Sequence, residues 1–311
     1  MISLQQPFIS IIIPNYNCLD FLPACLNSID EQVGVEKEVI IIDDGSTDGS
    51  LEYIQELMNT RTDLILVRGH RVGPGAARNL GVEVATGDYL AFLDADDTWT
   101  ADKLSKQVRF MAQHPEVSLS FTNYEHINSA QELIIPCFDY WPEFQQYVKN
   151  REDNGEYQRL IDATSILFKE NIVGTSSVMC RRDAYLDVGG FDTTLPSASD
   201  WDLWLKLSEV GEVGFTSAIQ MYYLMREGSV SSNIPKRIEA MKIIAERHMS
   251  EASAQCPDVK RFVDGRLMDA YCEYANEHKN YAQRTFKHLE TFICYPSMKR
   301  FKAMVKTAMV M

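Results

Sequence analysis

The sequence predicts an α/β protein, a doubly wound and mostly parallel sheet followed by a helical extension. Three observations predict it. Strand-like and helix-like segments alternate through the first 116 residues, and polar turns fall at the carboxyl ends of the strand-like runs. After Pro235 only helical patterning remains. Repeated strand–helix–strand crossovers require parallel strands with helices on both faces.

Phe8–Pro14 is a buried-strand run closed by a proline. Leu22, Cys25, Leu26 and Ile29 recur at helical spacing, so a helix follows. Glu38–Asp43 is the second strand, turned by Asp44-Gly45-Ser46, where Gly45 permits a positive φ. Leu51, Ile54, Leu57 and Met58 form one helical face, and Leu64–Val67 is the third strand. Pro74 opens a helix over Ala76–Ala85, which Gly87 ends. Tyr89–Leu93 is the fourth strand, and the helix after it carries Leu104, Val108 and Met111.

From Val117 the pattern changes. Val117–Tyr124 and Ser177–Cys180 read as strands, and Arg182–Val188 as a short helix before a turn at Gly189-Gly190-Phe191-Asp192. Asp200–Val210 reads as a helix burying Leu203, Trp204, Leu207 and Val210, and Ile219–Met225 as the last strand. Gln131–Asn154 is irregular, aromatic and acidic, which predicts a mobile flap. In the helical tail, Leu267, Tyr271 and Tyr274 form an apolar stripe.

A formal net charge of −14 argues against a nucleic-acid partner, whose phosphates call for excess Lys and Arg. The Met1–Gln6 leader has no basic region, and no stretch approaches the roughly 18 apolar residues of a membrane span. The seven cysteines show no CxxC pair and read as reduced, mostly buried thiols of a cytoplasmic protein. Cys25 and Cys180 lie in apolar runs and read as core. The six histidines lack zinc-site spacing.

The most informative run is Tyr89-Leu90-Ala91-Phe92-Leu93-Asp94-Ala95-Asp96-Asp97, an apolar strand ending in three carboxylates. Carboxylates so crowded repel one another unless a cation lies between them. Mg²⁺ and Mn²⁺ take such oxygen ligands and share them with substrate phosphates. A solvated acidic turn capping the next helix is the plainer alternative. In a doubly wound sheet, ligands lie beyond the carboxyl ends of the strands. Pro14-Asn15-Tyr16-Asn17, Asp43-Asp44 and Asp94–Asp97 are therefore expected on one rim. Gly73-Pro74-Gly75-Ala76-Ala77-Arg78 fails the dinucleotide fingerprint, because Arg78 replaces its last glycine and it follows the third strand. It reads instead as a helix start whose small residues allow close approach, with Arg78 meeting phosphate or making a surface salt bridge.

Five segments in order resemble family 2 glycosyltransferases of the GT-A fold. They are Ile12–Asn17 (IIPNYN), Ile41–Asp48 (IIDDGSTD), Gly75–Gly81 (GAARNLG), Phe92–Asp97 (FLDADD) and Ser199–Trp204 (SDWDLW). The resemblance covers about residues 7–232. It implies a GT-A catalytic domain over 1–233, with a nucleotide-binding half about 1–116 and an acceptor half about 117–233, and a helical region over 234–311. It implies a nucleotide-sugar donor, with UDP-sugar foremost, a divalent cation (Mn²⁺ or Mg²⁺), and transfer with inversion. By this analogy Pro14, Asn15, Tyr16 and Asn17 turn over base and ribose, Asp44 accepts from the base, and Asp43 supports the turn. An Asx-turn is the alternative for that pair. Asp96 or Asp97 would ligate the cation directly, and Asp94 would meet ribose or the ion's water.

Inversion needs one carboxylate opposite the leaving group. Asp200 matches that position, with Ser199 where the family usually has an acid, and helix capping is the alternative role. Asp202 lies two positions on and points elsewhere. Trp201 and Trp204 offer a stacking surface for a sugar, with core the alternative and preferred place for Trp204. Gly174-Thr175-Ser176-Ser177 is placed on the acceptor side. Arg226 stands where the family often has a basic loop closing on the diphosphate, although Glu227 departs from that pattern. The implied acceptor is a glycan or lipid-linked saccharide of the cell surface.

A processive polysaccharide synthase would share the catalytic domain. It is disfavoured by the missing membrane spans and by four tryptophans of which none follows an arginine. A non-catalytic nucleotide-sugar scaffold is the other competitor. Ser297–Met311 carries Lys299, Arg300, Lys302 and Lys306 with no acid, and Met298, Phe301, Val305 and Met309 recur at helical spacing. Such a helix suits peripheral contact with the inner face of the plasma membrane, packing on the catalytic domain, or a homodimer.

Overall fold

The structure, a computed structural model, describes residues 7–151, 154–225 and 233–309. It falls into two compact units, Met1–Thr193 with Ser199–Glu227 and Thr194–Ala198 with Gly228–Met311. The first unit runs β1 (Phe8–Asn15), α1 (Leu22–Asp30), β2 (Glu36–Asp43), α2 (Ser50–Leu57), β3 (Leu64–Arg68), α3 (Pro74–Val84), β4 (Tyr89–Phe92), β5 (Thr98–Trp99), α4 (Lys103–Gln113) and β6 (Val117–Ile127). It continues through β7 (Leu133–Pro136), α5 (Cys137–Tyr140), α6 (Pro142–Lys149), β8 (Gln158–Leu160), α7 (Ala163–Lys169) and a 3₁₀ turn at Thr175–Ser177. β9 (Met179–Arg181), α8 (Arg182–Asp187), α9 (Ser199–Val210) and β10 (Glu212–Leu224) complete it.

The sheet has the order β3-β2-β1-β4-β9-β6-β10-β5, with β7 paired to β6 and β8 to β10. β3, β2, β1 and β4 run parallel. β9 enters antiparallel between β4 and β6, and β10 returns parallel to β6. Strands covered on both faces read as unbroken apolar runs, and Ile11–Ile13 and Val39–Ile42 are fully buried. Helix α3 lies close on this sheet because Gly81 lacks a side chain; a Cβ there would stand 2.6 Å from Ile42 Cδ1 and 2.8 Å from Ile12 Cγ2.

Register delivers the rim. Asn15 pairs with Asp43, and Ile12 with Phe92, so the segments after β1, β2 and β4 emerge level with one another.

Three expectations are corrected. Gln131–Asn154 is not an irregular flap: β7, α5 and α6 lie within it. Its Phe138 and Phe144 are 4% and 1% exposed and pack edge-on at 4.7 Å, with Phe144 5.5 Å from Phe215 and 6.3 Å from Phe121. The aromatic content that suggested a solvated flap is a core of its own. The last strand begins at Glu212, seven residues before Ile219, and register shifts near Thr216 and Ile219 break its alternation. Val210 ends α9 exposed.

The second unit holds α10 (Ile234–Gln255), α11 (Val259–His278), α12 (Tyr281–Cys294) and α13 (Met298–Met309). Asn233 and Asn280 cap α10 and α12, accepting from Lys236 N at 3.1 Å and Gln283 N at 3.0 Å. Along α11 the most buried side chains are small (Val259, Val263, Ala270, Cys272 and Ala275), while Leu267, Tyr271 and Tyr274 are half-buried. No helix among the described residues is long and apolar enough to cross a membrane.

Replacing Phe144 with Ala removes a buried ring from the second aromatic core. It should cost about 3–5 kcal/mol in equilibrium denaturation. A solvated flap would lose less than about 0.5 kcal/mol.

Candidate active site

The first wall of the site is a lattice of side-chain bonds between the turns after β1 and β2. Asn15 Nδ2 donates to Asp43 Oδ1 at 2.9 Å and to Ser46 Oγ at 3.1 Å, and Ser46 N donates to Asp43 Oδ2 at 3.2 Å. Asn17 adopts a left-handed φ of 53°. Its own N–H donates to Ser46 Oγ at 3.0 Å, and its Oδ1 accepts from Thr47 N at 2.8 Å. Asp43 therefore holds the turn. Asp44, 6% exposed, accepts from Val72 N and Gly73 N, one to each oxygen at 2.9 Å, and ties down the loop before α3. A carboxylate offers about four acceptor positions, so those two bonds do not exhaust it. Pro14 lies in β1 beside Ile42, while Tyr16 is 47% exposed with the Arg71 guanidinium 5.7 Å from its ring centre.

The three carboxylates after β4 meet different fates. Asp94 and Asp96 are half-buried, whereas Ala95 and Asp97 point inward. Asp94 is ion-paired with Arg78, and its N–H donates to Ser176 Oγ at 3.0 Å. Asp97 is 1% exposed; its Oδ2 accepts from Ser176 Oγ at 2.5 Å and its Oδ1 from Leu224 N at 3.1 Å. Burial, and then the Asp94 and Asp96 charges, push its carboxyl well above the usual range. Asp97, one of the two expected metal ligands, thus has each oxygen bonded to the interior, whereas Asp96 is the more exposed of the pair. Among the described residues no group of three or more His, Cys, Asp or Glu could hold a metal. A cation here would take substrate oxygens to complete its shell, which is the ordinary habit of Mg²⁺ at phosphate sites. Asp94 and Asp96 fit that arrangement.

Behind them stands a polar layer that sequence reasoning missed. Ser176 also accepts, through its carbonyl, from the Trp99 indole at 2.7 Å. The Lys103 ammonium lies 4.5 Å from the Trp99 ring centre and donates to Gln107 Oε1 at 2.7 Å. Gln107 Nε2 donates to Ser120 O at 2.9 Å and Ser177 O at 3.2 Å. Lys103 is fully buried, which drives its pKa well down. Cys25 is buried under the same loop, where desolvation and then the Asp97, Asp96 and Asp94 charges keep its thiol protonated. It is core, as is Cys180.

The third wall comes from α3 and α9. Arg78 is 6% exposed, so the surface salt-bridge alternative fails; its guanidinium stands 5.3 Å from the Phe191 ring centre, and its Nε has no partner. Asn79 clamps the turn before α9, donating to Phe191 O at 2.9 Å and accepting from Phe191 N at 3.1 Å and Tyr185 OH at 2.5 Å. Asp200, in the first turn of α9, accepts from Trp201 N at 2.9 Å and from Thr175 Oγ1 at 3.5 Å. Burial pushes its carboxyl up, the Trp201 N–H and Arg78 pull it down, and Asp94 raises it. Asp202 is buried and paired with Lys206 at 3.3 Å, aimed away from Asp200. Trp201 is no sugar platform: it is 2% exposed, and its indole N–H donates to Leu167 O at 2.7 Å. Trp204 is fully buried against Phe92 and Phe191.

Arg226 lies outside the described residues. A cleft lined by Thr86, Asp88, Arg181 and Arg182 sits at the other ends of β1 and β4 and includes none of the predicted residues. Asn15, Asp44, Arg78, Asp94, Asp96 and Asp200 are thus gathered on three walls of the carboxyl-end rim.

The chain is similar to known proteins over most of its length. A beta-1,3-glucosyltransferase of Escherichia coli, WfaP, which acts with UDP-Glc on alpha-D-GlcNAc-diphosphoundecaprenol, is 30% identical over 226 residues, 72% of this chain and 80% of WfaP. TuaG of Bacillus subtilis (strain 168), named for teichuronic acid biosynthesis, is 31% identical over 233 residues, 73% of this chain and 83% of TuaG. The structure of S. aureus TarS 1-349 in complex with UDP-GlcNAc superposes with a TM-score of 0.66 at 19% identity, covering 96% of this chain and 83% of that one. That likeness shows the fold. The family model for Glycosyl transferase family 2 matches residues 10–172, which carry the Asn15, Asp43–Asp44 and Asp94–Asp97 walls, and the chain belongs to that family.

Proposed function

We propose that this glycosyltransferase moves a single sugar from a UDP-sugar, with inversion, to a hydroxyl of a glycan or lipid-linked acceptor in cell-surface polysaccharide synthesis. The observation that carries the reading is the pairing of a desolvated carboxylate, Asp200, with the Arg78–Asp94 ion pair across the rim. WfaP and TuaG, with their UDP-Glc and cell-envelope names, support the donor and acceptor class. A reaction of this class would have the enzyme in the cytoplasm, with access to the inner face of the membrane.

In this reading the base and ribose lie over Asn15, Tyr16 and Asn17, with Asp44 accepting from the base. Mn²⁺ or Mg²⁺ would be held by Asp96, with Asp94 beside it, and would stabilise the charge growing on the departing diphosphate. Arg78 offsets part of the negative charge around that group. The acceptor oxygen bonds to the anomeric carbon from the face opposite the diphosphate, the bond from that carbon to the diphosphate oxygen breaks, and Asp200 takes the hydroxyl proton. Ser176 holds Asp94 and Asp97 at fixed separation, so the carboxylates stay in place when charge builds.

Four measurements check this. Asp200→Asn should lower kcat by about 10²–10⁴-fold while UDP binding, read by calorimetry, is kept. Unchanged transfer would remove Asp200 from the mechanism. Since burial raises Asp200, its basic form is lost at higher pH than for an ordinary aspartate near about 3.9. The acid limb of kcat/KM should therefore lie above that value and vanish from the residual activity of the Asn variant. Asp96→Asn should abolish Mn²⁺-stimulated hydrolysis across a panel of sugar nucleotides, whereas Asp97→Asn should retain it, because Asp97 bonds inward. Loss of stimulation in the second variant alone would reverse that assignment.

A further inference from the structure

The second unit presents a face that sugar transfer does not use. α12 and α13 lie side by side, joined by the Phe292 and Phe301 rings at 5.6 Å. Both turn their polar contacts toward α11. His288 Nε2 meets Asn276 Oδ1 at 3.0 Å, Thr291 Oγ1 meets Cys272 Sγ at 3.1 Å, and Arg300 Nε donates to Asp269 Oδ1 at 2.8 Å. The opposite side of the pair is apolar and open. Phe286, Ile293 and Met298 are 69%, 68% and 71% exposed, and Leu289 and Phe301 are each 42% exposed.

Phe286, Leu289 and Ile293 follow i, i+3, i+7 spacing, so they form one ridge along α12. A contiguous run of large exposed apolar groups marks a contact surface. Its border carries the exposed lysines Lys299, Lys302 and Lys306. Residues 297–311 contain no acid, in a chain whose net charge is −14. At the edge of the ridge, Glu290 is paired with Lys287 at 2.9 Å.

We propose that this α12–α13 face docks on an anionic phospholipid surface. The ridge enters the boundary between headgroups and acyl chains, and the three lysines meet lipid phosphates. Charge favours an anionic occupant over a second copy of the chain, because a contact of this face with itself would gather like charges, the acid-free basic helix of both copies, at one interface. The inference stands apart from the transferase reading, since vesicle binding is measured without sugar transfer.

The test is co-sedimentation of the full chain with vesicles of equimolar phosphatidylglycerol and phosphatidylcholine, against pure phosphatidylcholine. Binding is expected to the anionic vesicles and to weaken at about 0.5 M salt, where screening is strong. The triple variant Lys299→Gln, Lys302→Gln, Lys306→Gln should lower partition about 100-fold, at about five-fold per charge. Phe286→Ser with Ile293→Ser should lower it at least about ten-fold, with both variants melting like the parent by circular dichroism. Equal binding to neutral vesicles, binding to neither, or unaltered binding by both variants would overturn the proposal. So would a dimer in sedimentation equilibrium that Phe286→Ser with Ile293→Ser splits, if vesicles are not bound.

Discussion

Asp94, Asp96 and Asp97 stand within four residues at the end of a buried strand, and their mutual repulsion is the constraint to which the rest of the site answers. Two unit charges about 4 Å apart near a protein surface interact by about 4 kcal/mol, so three cannot simply coexist. The fold treats each differently. Asp97 is taken inside, where burial favours its protonated form and Ser176 and Leu224 bond its oxygens. Asp94 is neutralised by the buried Arg78. Asp96 stays at the surface, half-buried. The Ser176 hydroxyl joins the first two solutions, since it accepts from Asp94 N and donates to Asp97.

That hydroxyl is itself fixed from behind. Trp99 bonds the Ser176 carbonyl, and Gln107 bonds that of Ser177. Gln32 reaches from the end of α1 to accept from Leu104 N at 3.0 Å and to donate to Thr100 O at 2.7 Å. The loop after β4 is thus braced by α1, α4 and the 3₁₀ turn together. Lys103 belongs to this brace. Its ammonium has the Trp99 ring and Gln107 as its contacts, and burial favours the neutral amine. Weakening the positive charge beneath the carboxylates in this way leaves the loop above more attractive to a cation.

What the sequence disclosed follows from the range of the interactions involved. β1, β2 and β4 were legible because a strand covered on both faces must be apolar throughout, and Pro14, Asp43 and Asp94 mark its exits without reference to anything distant. The rim followed from parallel register alone. Trp201 was misplaced because its partner, Leu167 O, lies 34 positions away. Ser176 lies 79 positions from Asp97 and 82 from Asp94, so no local pattern announces its bridging role. Lys103 and Gln107 sit four apart on the buried side of α4 and break the apolar stripe that Leu104, Val108 and Met111 advertise. Phe138 and Phe144 looked like flap residues because Phe121 and Phe215, their partners, belong to β6 and β10.

Two buried polar atoms on the rim carry the argument one step on. Asn15 Oδ1 and Arg78 Nε have no hydrogen-bond partner. Each such atom costs about 1–3 kcal/mol when left unpaired, and folded proteins rarely retain them without a use. One is an acceptor on the wall after β1, the other a donor on the wall built by α3. A nucleoside diphosphate combines donors on its base and ribose with acceptors on its phosphates, so it offers the complement of both. An apolar ligand would leave both costs standing, and a simple anion would answer only Arg78. Both atoms stand on the rim where Asp96 is half-buried, and the nucleoside diphosphate of the proposed function is a ligand that could answer each of them.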